Sequence, residues 1–394
     1  MLTSLAFIFL AGLAMAAFCQ MLKLPRIIGM LACGIILGPH VLDLLDPSIL
    51  SISSELRQIA LLIILLKAGL SLDLSDLKKV GRPAVMMSCV PAAFEILAFF
   101  LFAPHILGIT GAVMGAVLGA VSPAVVVPRM VQLIDTGYGT KKSIPQLILA
   151  GSSCDDIFVI VLFSTFVSMV QGGHASVSDF AAVPVSIILG AALGAVTGCL
   201  LSLFFETFYR RYHYIRSSTK LILVLGFAFL MTAVETWLKN TVALSGLLAV
   251  VSMACILRQK SPVSVSKGLS EKFGKLWLGA EVILFVLVGA AVDIRYTLDA
   301  GLPAVAMIFL SLLFRCLGVA LCMAGTSLNP KERLFCIIAY LPKATVQAAI
   351  GSIPLTLGLP CGKIVLSVAV LAILITAPLG AIGMDLGYKK LLSR

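Results

Sequence analysis

Apolar runs of about 20 residues recur from one end of this chain to the other, and a helix needs that length to cross the hydrocarbon core of a bilayer. The chain is 60% hydrophobic and only 12% charged, whereas ordinary soluble domains carry about 25% charged residues. The spacers between the runs are too short to build a separate soluble module. The sequence therefore predicts one all-α polytopic membrane domain over 1–394. Met1–Met21 lacks a basic leader and a small-residue cleavage site, and it is read as the first spanning helix.

Thirteen helical elements are expected, near residues 2–21, 26–41, 55–72, 82–103, 107–131, 144–171, 180–206, 219–238, 242–257, 274–292, 302–325, 332–352 and 362–386. Charge supports the count. Most of the 29 lysines and arginines follow odd-numbered elements, as in Lys23, Arg26, Lys78, Lys79, Arg82, Arg129, Lys141, Lys142, Arg210, Arg211, Arg216 and Lys220. Loops after even-numbered elements carry Arg57, Lys239, Arg295 and Lys363. The positive-inside rule then places the C-terminus in the cytoplasm and the N-terminus outside. The net charge of +11 thus reads as membrane topology, with no nucleic-acid partner. The 10 cysteines include no Cys-x-x-Cys pair and the 4 histidines do not cluster, so no cofactor is expected.

The second half of the chain echoes the first. Gly69-x-x-x-Asp73 matches Gly289-x-x-x-Asp293, Pro83-Ala84-Val85 matches Pro303-Ala304-Val305, and Phe94-Glu95 matches Phe314-Arg315, always at an offset of 220 residues. Matched elements are seven spans apart and so cross the bilayer in opposite directions. An inverted-topology repeat is a mark of alternating-access transporters. The repeats are read as 1–172 and 219–394, joined by a connector helix at 180–206.

The fifth element of each repeat contains a breaker. One is Ser122-Pro123-Ala124-Val125-Val126-Val127-Pro128, and the other is Leu341-Pro342-Lys343-Ala344-Thr345-Val346-Gln347. Proline removes a backbone donor and clashes with the preceding turn. Unpaired backbone at membrane depth is tolerated where it is buried in protein or lines a wet cavity. Pro123, Pro128 and Pro342 are therefore assigned to two broken helices, and matching interruptions point to the transport site.

Charged residues within the spans are costly, roughly 3 kcal/mol or more for a carboxylate at the bilayer centre, and are functional by default. Asp155 and Asp156 lie mid-span in Gly151-Ser152-Ser153-Cys154-Asp155-Asp156. Neighbouring carboxylates in a low-dielectric site repel, so their proton affinities split. One of them is then suited to hold either a proton or a sodium ion. A hard cation takes oxygen ligands, which Ser122, Ser152, Ser153, Thr345 and freed carbonyls offer. Adjacent helical residues point about 100° apart. Asp156 is assigned as the shared ion and proton ligand, with Asp155 assisting or balancing charge.

Glu95 and Arg315 occupy equivalent repeat positions with opposite charge. Arg315 pairs with Glu95 or with Asp155, and Lys343 either offsets half-helix carbonyls or pairs with an aspartate. Lys67 and Glu281 lie nearer span ends, where snorkelling or interface placement accounts for them. Gly111, Gly115 and Gly119, like Gly190, Gly194 and Gly198, repeat every four residues, a pattern for close helix packing.

The segments Gly119–Pro128, Ser153-Cys154-Asp155-Asp156 and Leu341–Ala349 together closely resemble the NHA branch of the monovalent cation/proton antiporter superfamily. That branch holds the SLC9B-type animal exchangers and bacterial relatives. The resemblance implies an NhaA-like fold with six-helix repeats and two crossed broken helices. It implies a core of about 82–171 and 302–386 and a dimer side of about 2–72 and 180–292. It also implies a homodimer, elevator-like movement and an essential aspartate at Asp156. Other branches carry a lysine where this chain has Arg315. Two acids suggest two protons per ion, whereas an Arg315–Glu95 pair favours electroneutral exchange. Animal members carry an additional N-terminal helix and tail, so a bacterial inner membrane is the expected location.

The expected function is exchange of sodium or lithium for protons, with membrane lipids as surroundings and no enzymatic activity. Potassium as the exchanged ion and a bile-acid-type sodium symporter stay open as alternatives; a channel would show linear, unsaturating currents. An intramembrane aspartyl protease needs facing aspartates on separate helices, and these two are neighbours.

Overall fold

A computed structural model of the chain describes residues 1–71, 81–106, 111–171, 177–212, 216–238 and 244–394. Asp73, Lys78, Lys79 and Lys239 fall outside the described residues, as do the side chains of Ser153, Arg210, Arg211 and Arg295. Every regular element among the described residues is helical.

In chain order the helices are α1 (Leu2–Met21), α2 (Arg26–Leu37), α3 (Pro47–Ser51), α4 (Ser53–Ser71), α5 (Arg82–Met87), α6 (Val90–Ile106), α7 (Gly111–Leu118), α8 (Pro123–Thr136), α9 (Ile144–Gln171) and α10 (Val177–Tyr212). They continue with α11 (Ser217–Leu238), α12 (Gly246–Lys260), α13 (Val263–Ala290), α14 (Ile294–Cys322), α15 (Pro330–Ala339), α16 (Thr345–Gly351), α17 (Ile353–Thr356) and α18 (Gly362–Leu391). Each apolar run in the sequence has a helical counterpart. Among the described residues, 9 helical segments are long and apolar enough to cross a membrane unaided.

The departures from the expected boundaries have local causes. The fourth run is not one helix: it is interrupted at Ser88–Cys89, just ahead of Pro91, which has no N–H to bond the Met87 carbonyl one turn back and whose ring crowds it. The eleventh run starts earlier than expected, at Ile294, and kinks at Gly301, where φ is 20° and Pro303 follows. α8 opens with Pro123 at its first position, where the missing N–H costs nothing. It ends on Gly137 in the left-handed region, φ 81°, the backbone that glycine adopts most easily.

Two compact units divide the chain. One comprises Met1–Arg57, Leu74–Val159 and Val282–Arg394, and the other Gln58–Asp73 and Ile160–Glu281. In this grouping α1 and α2 fall with the aspartate-bearing part of α9.

In the first unit, glycines let helix backbones touch. A Cβ at Gly34 would collide with the Val286 carbonyl, and one at Gly289 with the Leu31 carbonyl, so α2 and the end of α13 each supply the gap the other fills. Gly111 faces the Phe99 carbonyl and Gly115 faces Ile96, which seats α7 on α6. α6 also packs along α14, where Gly318 meets Pro91 and Phe102 stands edge-on to Phe314 at 5.8 Å between centroids.

The second unit uses the same device. Gly190, Gly194 and Gly198 of α10 face the carbonyls of Ser245, Ala249 and Met253, the latter two on α12, and Ser252 Oγ donates to the Ala191 carbonyl at 2.8 Å. Both four-residue glycine patterns are thus packing surfaces. Snorkelling does not describe Glu281, which is buried within α13, and Lys67 lies over the Trp277 ring at 5.5 Å.

Candidate functional site

The two unwound segments lie in the first unit. Residues 119–122 separate α7 from α8, and 340–344 separate α15 from α16. Unwinding a buried helix exposes backbone groups that must find partners. Here many of them do, and charged residues singled out in the sequence supply several of the partners.

On the first segment the carbonyls come first. Leu118 O accepts from Lys343 Nζ at 2.5 Å, Gly119 O from Arg315 Nη1 at 2.5 Å, and Ala120 O from Gln347 Nε2 at 2.6 Å. These oxygens sit at the C-terminal end of the half-helix α7, where the helix dipole is negative, and two of the three donors are cations. The N–H groups follow. Val121 N–H donates to Asp155 Oδ2 at 2.7 Å, and Ser122 N–H donates to the Pro342 carbonyl at 2.8 Å. A carboxylate thus meets the Val121 N–H just ahead of α8, near the end of a helix that favours anions.

The second segment is satisfied in the same manner. Tyr340 O accepts from Arg315 Nε at 2.7 Å. Lys343 N–H donates to Thr376 Oγ1 of α18 at 3.0 Å, and Ala344 N–H donates to Gln347 Oε1 at 2.8 Å.

A buried charge network joins these contacts. Arg315 Nη1 lies 2.7 Å from Glu95 Oε2, and Arg315 Nη2 lies 3.0 Å from Asp155 Oδ2. Lys343 Nζ lies 2.6 Å from Glu95 Oε1, to which Ser311 Oγ also donates at 3.2 Å. All four charged side chains are buried. Arg315 therefore takes both of the carboxylates between which the sequence could not choose. Lys343 reaches a half-helix carbonyl, and its acidic partner is Glu95 rather than an aspartate. Arginine suits this position because its rigid planar fork presents several donors at once, which an ammonium does not.

Asp156 is 5% exposed and forms no ion pair among the described residues. Its Oδ1, together with Asp155 Oδ1 and Ser122 Oγ, is buried without a hydrogen-bond partner among them. These three are oxygen donors of the kind a hard monovalent cation takes. Ser152 Oγ is turned to its own helix, donating to the Leu149 carbonyl at 3.2 Å. Thr345 is buried as the first residue of α16, and among the described residues no hydrogen bond joins it to the network. The Ser153 side chain lies outside the described residues.

Of the prolines assigned to breaks, Pro123 opens α8 and Pro342 lies in the second unwound segment, whereas Pro128 is inside α8 and the interruption does not reach it. Sequence reasoning did not single out Gln347, Thr376, Tyr340 or Ser311 as site residues. Ser311 carried a signal, because it lies one helical turn before Arg315 and shares its face. Gln347 was a lone amide in an apolar run. Thr376 and Tyr340 carried none.

The family model for the transmembrane sodium/hydrogen exchanger matches residues 5–384 of the chain. The chain is similar to the human sodium/hydrogen exchanger 9B2, being 35% identical over 391 residues that cover 94% of this chain and 70% of that protein. It is likewise similar to human sodium/hydrogen exchanger 9B1, at 33% identity over 360 residues, 87% of this chain and 67% of that one. Its fold is similar to that of the sodium proton antiporter MjNhaP1 from Methanocaldococcus jannaschii, with a TM-score of 0.83 and 23% identity, covering 100% of this chain and 99% of that one.

Proposed function

The chain belongs to the transmembrane sodium/hydrogen exchanger family, and from that premise we propose that it exchanges sodium, or lithium, for protons across a membrane at Asp156. It is an integral membrane protein of a transporter family, not of an enzyme family. The observation that carries the reading is the position of Asp156 beside an already balanced network. Glu95 and Asp155 meet Arg315 and Lys343, two acids against two bases. Asp156 is the fifth charge.

A carboxyl buried without a cationic partner is unstable as a bare anion. It is relieved by a proton or by a monovalent cation, and the two occupants exclude each other. Ser122 Oγ and Asp155 Oδ1 supply further oxygens for the cation. Either occupant brings one positive charge, so one-for-one exchange leaves the site's charge the same. We read the transport as electroneutral on that ground.

The rest of the reading follows from the repeat. Thirteen helices cross the bilayer, with copies 1–172 and 219–394 in inverted topology and 180–206 between them. The 220-residue offset and the matched unwound segments support it. The core helices, 82–171 and 302–386, carry the ion by moving against the helices 2–72 and 180–292, through which two copies form a homodimer. The charge distribution of the loops supports an external N-terminus and a cytoplasmic C-terminus; a bacterial inner membrane is the proposed location.

The test is the purified protein in vesicles holding an internal pH dye, challenged in turn with Na⁺, Li⁺ and K⁺. Proton movement with Na⁺ and Li⁺ is the expected result. A response to K⁺ alone reassigns the ion, and no response to any of the three removes the proposal.

A further inference from the structure

Tyr340 touches the charge network and the aspartate helix at once. It is fully buried at the start of the second unwound segment. Its carbonyl accepts from Arg315 Nε at 2.7 Å, and its ring lies 5.7 Å from Arg315 Cζ. Its hydroxyl has no hydrogen-bond partner among the described residues. That hydroxyl occupies the space where Gly151 of α9 has no side chain, because a Cβ at Gly151 would collide with it. Gly151 stands one helical turn before Asp155, on the same face of α9.

A phenylalanine would fill this slot without leaving a hydroxyl unpaired in the interior, so the hydroxyl is kept at a cost. What it meets is the backbone of α9 next to Asp155. The Arg315 guanidinium is a rigid plane whose Nη1 is held by Glu95 and Gly119 and whose Nη2 reaches Asp155. A shift at the Nε edge therefore turns Nη2 toward or away from Asp155.

We propose that Tyr340 is a positioning residue: its hydroxyl, seated on Gly151, spaces α9 from the second unwound segment and so sets how closely Arg315 approaches Asp155. The consequence for transport rests on the exchange reading above, but the spacing itself does not.

Four variants of the full chain test this: Gly151→Ala, Tyr340→Phe, the two combined, and Tyr340→Leu. Gly151→Ala forces the hydroxyl off its seat. Adding Tyr340→Phe exchanges a hydroxyl for a methyl group and restores the spacing in part, since Met87 Cβ also lies 2.8 Å from the new Cβ. With Arg315 drawn away from Asp155, the pH of half-maximal exchange is expected to move by about half a unit or more toward higher pH in Gly151→Ala, whereas Tyr340→Leu, which removes the spacer, is expected to move it toward lower pH. The double variant is expected to return toward wild type. A purely structural defect would lower the yield of folded protein and leave the pH profile of the remainder in place.

Unfolding temperatures in detergent are measured alongside, because they do not depend on transport. A non-additive cycle, with the double variant more stable than Gly151→Ala alone, supports the spacing whatever the wild type carries. Additive effects overturn it. A wild-type pH profile in Tyr340→Leu also overturns the proposal, and that variant decides if Gly151→Ala yields no folded protein. A wild type inert to Na⁺, Li⁺ and K⁺ removes the exchange reading, and the temperature cycle then decides the spacing alone.

Discussion

The Ser122 N–H donates to the Pro342 carbonyl across 2.8 Å, so the two unwound segments are bonded to each other backbone to backbone. Around that bond the freed carbonyls are held by Lys343, Arg315 and Gln347 and a freed N–H by Asp155. The residues that balance charge are the same ones that make the unwinding possible. Changes at these residues are therefore expected to affect both stability and exchange, and both can be measured.

Asp156→Asn is expected to reduce exchange to the background of protein-free vesicles while the protein stays folded. The amide fills the same volume and removes a buried carboxyl that has no ion pair among the described residues, so the unfolding temperature should not fall. Dye dequenching and an unfolding curve on the same preparation check both halves. Residual exchange at a tenth of the wild-type rate or more would contradict the assignment.

Arg315→Ala is expected to be the most damaging single change in the network. It leaves Glu95 and Asp155 without the guanidinium and leaves the Gly119 and Tyr340 carbonyls without a donor. Removing one partner of a buried ion pair costs roughly 3–5 kcal/mol. Size-exclusion profiles and unfolding temperatures should show loss of most folded material. Arg315→Lys should fall well short of rescue, because one ammonium cannot reach four acceptors.

Gln347→Leu tests the neutral part of the same scaffold. Its side chain donates to Ala120 O and accepts from Ala344 N–H, and leucine does neither. Each buried backbone group left unpaired costs about 1–3 kcal/mol. A clear drop in unfolding temperature is expected.

Gly34→Leu probes the packing of α2 on α13. The new side chain would drive into the Val286 backbone, which cannot rotate aside as a side chain would. Overpacking of this kind costs about 1–3 kcal/mol or more. Yield of monodisperse protein should fall steeply, whereas Gly226→Leu, at a glycine with open space around it, should be tolerated.

Charge balance can be read directly. If Asp156 alone changes occupant, exchange carries no net charge. Its rate in vesicles should be the same with and without a potassium–valinomycin clamp. A rate that changes severalfold when the potential is imposed would mean that a second group, with Asp155 the first to suspect, also gives up its proton.

Much of this architecture was legible without coordinates. The runs that became α1, α9, α11 and α18 could be bounded to within a few residues, because lipid forces the backbone to bond within each segment and the signal is local. The positions of both interruptions were legible for the same reason, since proline acts on its own turn. The break at Ser88–Cys89 went unread because the apolar run continues through it and marks no boundary, whereas the kink at Gly301 falls beside the boundary expected at 302.

The site divides along the same line. The sequence by itself marked the buried charges of the candidate site: acids and bases are rare in apolar spans, so Glu95, Asp155, Asp156, Arg315 and Lys343 stood out by their cost alone. Only the tertiary structure decided who meets whom, namely that Arg315 serves both Glu95 and Asp155 and that Lys343 goes to Glu95 and Leu118. It also recruited Gln347, Thr376 and Tyr340, which are unremarkable as letters. The physical reason is that desolvation is paid residue by residue and can be read along the chain, whereas a hydrogen bond between residues 118 and 343 depends on where two distant turns come to rest.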